Sequence, residues 1–218
     1  MKKVKVFILS FIFLITFLWT FPTKYLVSFI LSSNGFLFSR IDGNFLNLKI
    51  EDLENKYVYV KNLSITNRLI YQEIKIKKNL KITYKPFVKN LFLEFNRFDT
   101  DMFVKDKNIV SAKLDGRLKV FKKGDFKILE GDGKVILRKI SIANLNGLRL
   151  EYNIRKNKDY SEIEAKLRGI NINGEFKGKI VWEDKFNIDG TFTGRFLGQT
   201  VNRNINEKFE IKFLNGLL

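Results

Sequence analysis

Hydrophobic and polar positions along this chain follow two regimes. Positions 6–23 carry no charge and are almost all large and apolar; from Phe36 onward apolar and polar residues mostly alternate one for one. A helix rises 1.5 Å per residue, so an uncharged run of this length is close to the ~20 residues that cross a bilayer core. The pattern therefore predicts a basic tail over 1–5, with Lys2, Lys3 and Lys5, and a transmembrane helix over 6–23. Its anchoring side chains include Val6, Phe7, Ile8, Phe11, Phe13, Phe17 and Trp19. A secretory signal also pairs basic residues with an apolar run, but it is shorter and ends in a small-x-small site. Thr20-Phe-Pro-Thr-Lys24 offers none, which favours a retained anchor. Basic residues stay on the cytoplasmic side, and three of them precede the run while only Lys24 follows closely. The N-terminus is thus expected in the cytoplasm and the remainder outside, in the periplasm of a two-membrane bacterium.

Over 24–35, Tyr25, Leu26, Phe29 and Ile30 fall at helical spacing, Pro22 suits a first turn and Asn34-Gly35 a stop. This segment reads as a short interfacial helix or as the outer end of one long helix. Residues 36–218 read as a single β-domain. Runs 57–65, 69–77, 80–84 and 91–95 have strand length and β-rich composition. Cleaner alternation follows in 110–120, 148–154, 163–167, 170–182 and 186–196, and Phe209, Ile211 and Phe213 close the series. One break in phase, between Val135/Leu137 and Ile140/Ile142, predicts a β-bulge near Lys139. Consecutive one-sided strands joined by short polar turns predict an antiparallel meander with one apolar and one wet face.

That face must be hidden, and the alternation leaves no amphipathic helix to cover it. The sheet either curls into an open groove or closes on itself as a sandwich or barrel. Gly116, Gly174, Gly178, Gly190 and Gly194 share the apolar phase, where an absent side chain permits tight curvature or leaves room for something to pack. The expected lining of a groove is Phe176, Ile180, Trp182, Phe186, Ile188, Phe192 and Phe196.

Composition narrows the chemistry. The formal net charge is +17 and the pI near 9.9, but the lysines are spread through the strands, and no nucleic-acid-binding motif gathers them. No nucleic-acid partner is expected; the charge reads first as a solvated basic face, with a polyanion-binding surface and attraction to anionic lipid heads as the lesser alternatives. The chain has no Cys and no His, which removes disulfides, thiolate chemistry, the commonest general base and the usual zinc ligands. Gly174-Glu-Phe-Lys-Gly-Lys179 is too short and too strand-like for a phosphate loop. Asp99, Asp101 and Asp106 match no calcium loop. No enzyme activity, cofactor or metal is expected.

After the apolar run come Arg40-Ile-Asp-Gly-Asn-Phe-Leu-Asn-Leu-Lys-Ile-Glu-Asp-Leu53, Val58-Tyr-Val-Lys-Asn-Leu-Ser-Ile65 and Leu80-Lys-Ile-Thr-Tyr-Lys-Pro86. Later strands open on glycine, as in Gly116-Arg-Leu-Lys-Val, Gly133-Lys-Val-Ile-Leu and Gly190-Thr-Phe-Thr-Gly-Arg-Phe. This layout resembles protein N of the bacterial type II secretion system and, more distantly, the AsmA/TamB-like periplasmic proteins. The resemblance implies a non-catalytic, single-pass inner-membrane protein with a periplasmic β-domain. Its role would be that of an accessory in a secretion assembly, partnered by other secretion-system proteins. The alternative it implies is lipid binding or transport, with phospholipid or lipopolysaccharide acyl chains in an apolar β-groove.

Overall fold

The computed structural model describes residues 23–102, 111–139 and 147–209, together with Ser10, Phe13 and Thr16. Among the described residues, the α-helix α1 (Thr23–Ser33) leads into thirteen strands. These are β1 (Arg40–Gly43), β2 (Asn47–Glu54), β3 (Tyr59–Asn67), β4 (Gln72–Ile76), β5 (Leu80–Lys85), β6 (Asn90–Asp99) and β7 (Ser111–Lys123). There follow β8 (Phe126–Lys139), β9 (Leu148–Lys156), β10 (Ser161–Arg168), β11 (Ile172–Trp182), β12 (Phe186–Phe196) and β13 (Gln199–Phe209). All pair antiparallel in chain order, with β1 and β13 at opposite edges, so this is one unclosed meander sheet. The expected mainly-β meander is what the chain forms.

Most of the expected 6–23 span, including Val6, Phe7, Ile8, Phe11, Phe17 and Trp19, lies outside the described residues; among the described residues no helix is long and apolar enough to cross a membrane. Helix α1 stops where Asn34-Gly35 predicted. Gly35 takes φ +74°, its N–H donates to the Ser32 carbonyl, and the Phe36 N–H reaches back to Leu31. These bonds satisfy carbonyls that a helix end leaves open. Leu31 and Phe36 then pack together with Val27 against Ile41, Leu48, Ile50, Leu53 and Val60. A helix therefore does cover the apolar face of the first strands, contrary to expectation. Its covering side chains are Val27 and Leu31; Tyr25, Leu26, Phe29 and Ile30 are exposed.

The bulge expected near Lys139 is present, since Ser111 pairs with Lys139 while Ala112 pairs with Leu137, leaving Arg138 unmatched. The Arg138 guanidinium turns to Asp99, at 2.9 Å, and Asp101, at 3.5 Å. Two further irregularities break the phase. Asp52, at φ +51°, lets Leu53 join Leu48 and Ile50 in the core. Its carboxylate accepts from the Tyr59 hydroxyl at 2.7 Å and the Ser39 hydroxyl at 2.8 Å, which hold it below the usual carboxylate range. The β6–β7 register shifts between Phe95 and Phe98, where Arg97 has φ +47°, and the two rings meet edge to face 6.0 Å apart.

The last described strand is β13, which the alternation did not reveal; Ile211 and Phe213 lie outside the described residues. Its core-phase positions are mixed. Val201 and Ile205 share a phase with Arg203 and Glu207, which stand opposite Phe192 and Ile188. Charges in the inward phase of an edge strand discourage pairing with another sheet, and they also blur the period-two signal.

Candidate functional site

The apolar phase of β6 to β12 forms one face with two distinct ends. At the end carrying the β7–β8, β9–β10 and β11–β12 turns, Leu91, Val120, Leu129, Ile154, Ile180 and Trp182 make a closed core. Here β8 departs from β9 and leans across to β10 and β11. The Leu129 N–H donates to the Ser161 hydroxyl at 2.8 Å, and the Lys127 ammonium donates to the Glu183 carbonyl at 2.5 Å. Lys127 Nζ also sits 5.6 Å from the Trp182 ring centroid. Burial pushes the Lys127 ammonium down from its ordinary value, with Lys122 adding to the effect. This crossing plugs one end of the face. Neither Lys127 nor Ser161 stands out in the sequence, because both occupy core-phase positions with polar side chains.

Away from the plug, glycines face one another across neighbouring strands and let the backbones come close. Gly116 faces Gly133, Gly178 faces Gly190 and Gly174 faces Gly194 across neighbouring strands. A methyl group on Gly178 would lie 2.8 Å from Gly190 Cα and on Gly190 2.6 Å from Gly178 Cα. Real Cβ atoms do not come so close, so the approach needs glycine on both strands. Aromatic rings lie over these creases: Phe176 Cζ is 2.9 Å from a Cβ built on Gly178 and 2.7 Å from one on Gly190. Phe192 covers Gly174 and Tyr152 covers Gly133 in the same way. Burial raises the Tyr152 phenol above its usual range.

The seven expected lining residues all fall on this face, since Phe176 pairs with Phe192, Ile180 with Ile188 and Trp182 with Phe186, while Phe196 lies opposite Ile172. Their environments differ. Ile180 and Trp182 are each 2 % exposed and belong to the plug, with the Phe186 ring edge to face against Trp182 at 5.4 Å and Ile188 alongside. Phe176 and Phe192 are half-buried over the glycine creases, and Phe196 is 39 % exposed at the far end. The same face continues across the neighbouring strands through Ala165, which pairs with Phe176, and through the row Leu167, Leu150 and Val135, which pair in turn across β10, β9 and β8. Alternation puts them in the apolar phase, but only the strand order sets them in one continuous face with Phe176.

The outward face is charged and largely paired. Lys134 meets Glu151 at 3.2 Å and Lys166 meets Glu175 at 3.4 Å. These four, with Glu164 and Lys177, line a shallow hollow of about 460 Å³. Glu73 lies between Lys75 at 2.6 Å and Lys81 at 3.3 Å, which hold its carboxyl below the usual range. Gly174–Lys179 runs inside β11, paired on both sides. Asp99 and Asp101 are taken up by Arg138, Asp101 also accepts from the Ser111 hydroxyl at 2.6 Å, and Asp106 lies outside the described residues. Among the described residues no cluster of three or more acidic side chains could hold a metal ion.

Neither the family models, the curated proteins nor the solved structures contain a match to this chain.

Proposed function

We propose that this chain is a non-catalytic lipid-handling protein that holds acyl chains of phospholipid or lipopolysaccharide in an open groove along the apolar face of β8–β12. The observation that carries this reading is an apolar face left partly exposed in an unclosed sheet, from Val135 and Leu150 through Leu167 and Phe176 to Phe192 and Phe196. Water meets these side chains along the face while Trp182 closes only one end. Apolar surface of this extent on a polar-rimmed sheet is the kind that ligands cover. The residues available are apolar and aromatic, suited to solvating alkyl chains and to no bond-making step. The AsmA/TamB-like resemblance points the same way. The apolar outer side of α1, with Tyr25, Leu26, Phe29 and Ile30, supports a place beside a membrane. The location proposed is the periplasmic side of a bacterial inner membrane, anchored by 6–23.

Photo-crosslinking tests the groove without confusion from lipid around the anchor. A photoreactive phenylalanine analogue replaces Phe192 or Phe196 in the full chain, in cells fed radioactive phosphate, with Thr193 of the outward phase as control. Labelled lipid adducts are expected at Phe192 and Phe196 and not at Thr193. Absence of adducts at the inner positions, or equal labelling at Thr193, refutes the groove and returns preference to an accessory role in a type II secretion-like assembly.

A further inference from the structure

Antiparallel order sends the β1–β2, β3–β4 and β5–β6 turns to one end of the sheet, opposite the end at which α1 meets β1. These three neighbouring tips are apolar. Leu69 and Ile70 are 91 % and 65 % exposed, Phe87 and Val88 79 % and 55 %, and Phe45 39 %. The next tips along the same end, Gly124-Asp125, Asn157-Lys-Asp and Glu183-Asp-Lys, are polar. Short-range bonds hold the apolar tips outward. The Asn44 amide oxygen accepts from the Leu46 and Asn47 N–H groups, each at 3.0 Å. The Arg68 N–H reaches Tyr71 O at 2.8 Å, and the Lys89 N–H reaches Pro86 O at 3.3 Å.

A single exposed apolar residue is ordinary; three adjacent tips are not. Cations flank them along the chain, Arg68 before Leu69-Ile70 and Lys85 and Lys89 on either side of Pro86-Phe87-Val88, with the Lys85 ammonium 5.2 Å from the Phe92 ring centroid at the start of β6. Short apolar side chains ahead of long basic ones match the layering of a bilayer surface, with acyl chains below and anionic phosphates above. An apolar protein patch would cover the same tips without needing cations at this level. We propose that these three hairpin tips form a docking edge for an anionic lipid bilayer. Leu69, Ile70, Phe87 and Val88 enter the headgroup layer, and Arg68, Lys85 and Lys89 meet the phosphates. The edge stands independently of what the apolar groove holds.

The chain has no cysteine, so Leu69→Cys or Phe87→Cys takes a single environment-sensitive NBD label in full-length protein held in phosphatidylcholine nanodiscs. Vesicles of phosphatidylcholine containing phosphatidylglycerol are then added. Blue-shifted, brighter emission is expected at both tips, with no change for a label at Lys185→Cys. Each basic residue near an anionic surface strengthens partition about fivefold, so Arg68→Gln/Lys85→Gln/Lys89→Gln should weaken vesicle binding on the order of a hundredfold. Unchanged emission at both tips overturns the proposal. So does a response equal at Lys185, or one that the triple substitution leaves intact.

Discussion

Replacing Gly178 with alanine probes the close approach of β11 and β12 on which the proposed groove depends. The added methyl would meet Gly190 Cα at 2.8 Å and Phe176 Cζ at 2.9 Å, and would press on the Asp189 carbonyl. Gly178 does not occupy the left-handed region, so alanine suffers no dihedral penalty there. The cost comes from the neighbouring strand, whose backbone cannot swing aside as a side-chain end could. Overfilling a packed site costs ~1–3 kcal/mol. Against this, alanine lowers the entropy of the unfolded chain, worth ~0.4–1 kcal/mol. A net loss of about 1–2 kcal/mol remains, which at a urea m-value near 2 kcal/mol per molar lowers the unfolding midpoint by roughly 0.5–1 M. The assay is urea unfolding of the detergent-solubilised full chain, followed by far-ultraviolet circular dichroism. Combining Gly178→Ala with Phe176→Ala separates ring from backbone, because removing the ring leaves the contact with β12 in place and should not restore the midpoint. An unchanged or raised midpoint for Gly178→Ala would refute a sheet creased by close strand approach.

Trp182→Ala empties the plug and should cost ~3–5 kcal/mol in the same unfolding assay, whereas Phe196→Ala, at the open end, should cost less than about 1 kcal/mol. A comparable loss at both positions would contradict the division into a plugged and an open end. Ser161→Ala strands the Leu129 N–H inside the core, and a deficit of ~1–3 kcal/mol is expected. Lys127 gives a pH signature. Its folded pKa is depressed, so between that value and the ordinary ~10.4 the unfolded chain holds more protons, and native stability rises as pH climbs through this window. Urea midpoints of the wild type should therefore increase relative to Lys127→Met on going from about pH 8 to about pH 10.5. Parallel pH profiles for the two proteins would show that Lys127 is not desolvated.

Much of the architecture is legible in residue order because a strand half-buried on one face writes its burial as a period of two. The runs 170–182 and 186–196 became β11 and β12 with the expected side chains on one face, and Asn34-Gly35 ended α1 by a local hydrogen-bonding device. The phase break near Lys139 was likewise visible, because a bulge moves every later side chain to the other face. β13 escaped because its edge position places Arg203 and Glu207 in the core phase. The breaks at Asp52 and Asn96-Arg97 escaped because each depends on a left-handed residue that is not glycine.

What sequence alone determined, then, is a local matter: which residues alternate, where turns fall, and which chemistries a chain without His or Cys lacks. Tertiary structure decided which apolar positions are buried and which remain open. Ile180 and Phe192 carry the same alternation on paired strands, yet one lies in a closed core and the other half-exposed. The difference arises because β8 crosses onto β10 and β11 through Lys127 and Leu129 at one end only. It was likewise the antiparallel order that gathered Phe45, Leu69-Ile70 and Phe87-Val88, distant along the chain, onto one edge. Periodicity reports that a side chain has an inward side; only the path of the other strands decides whether that side is filled.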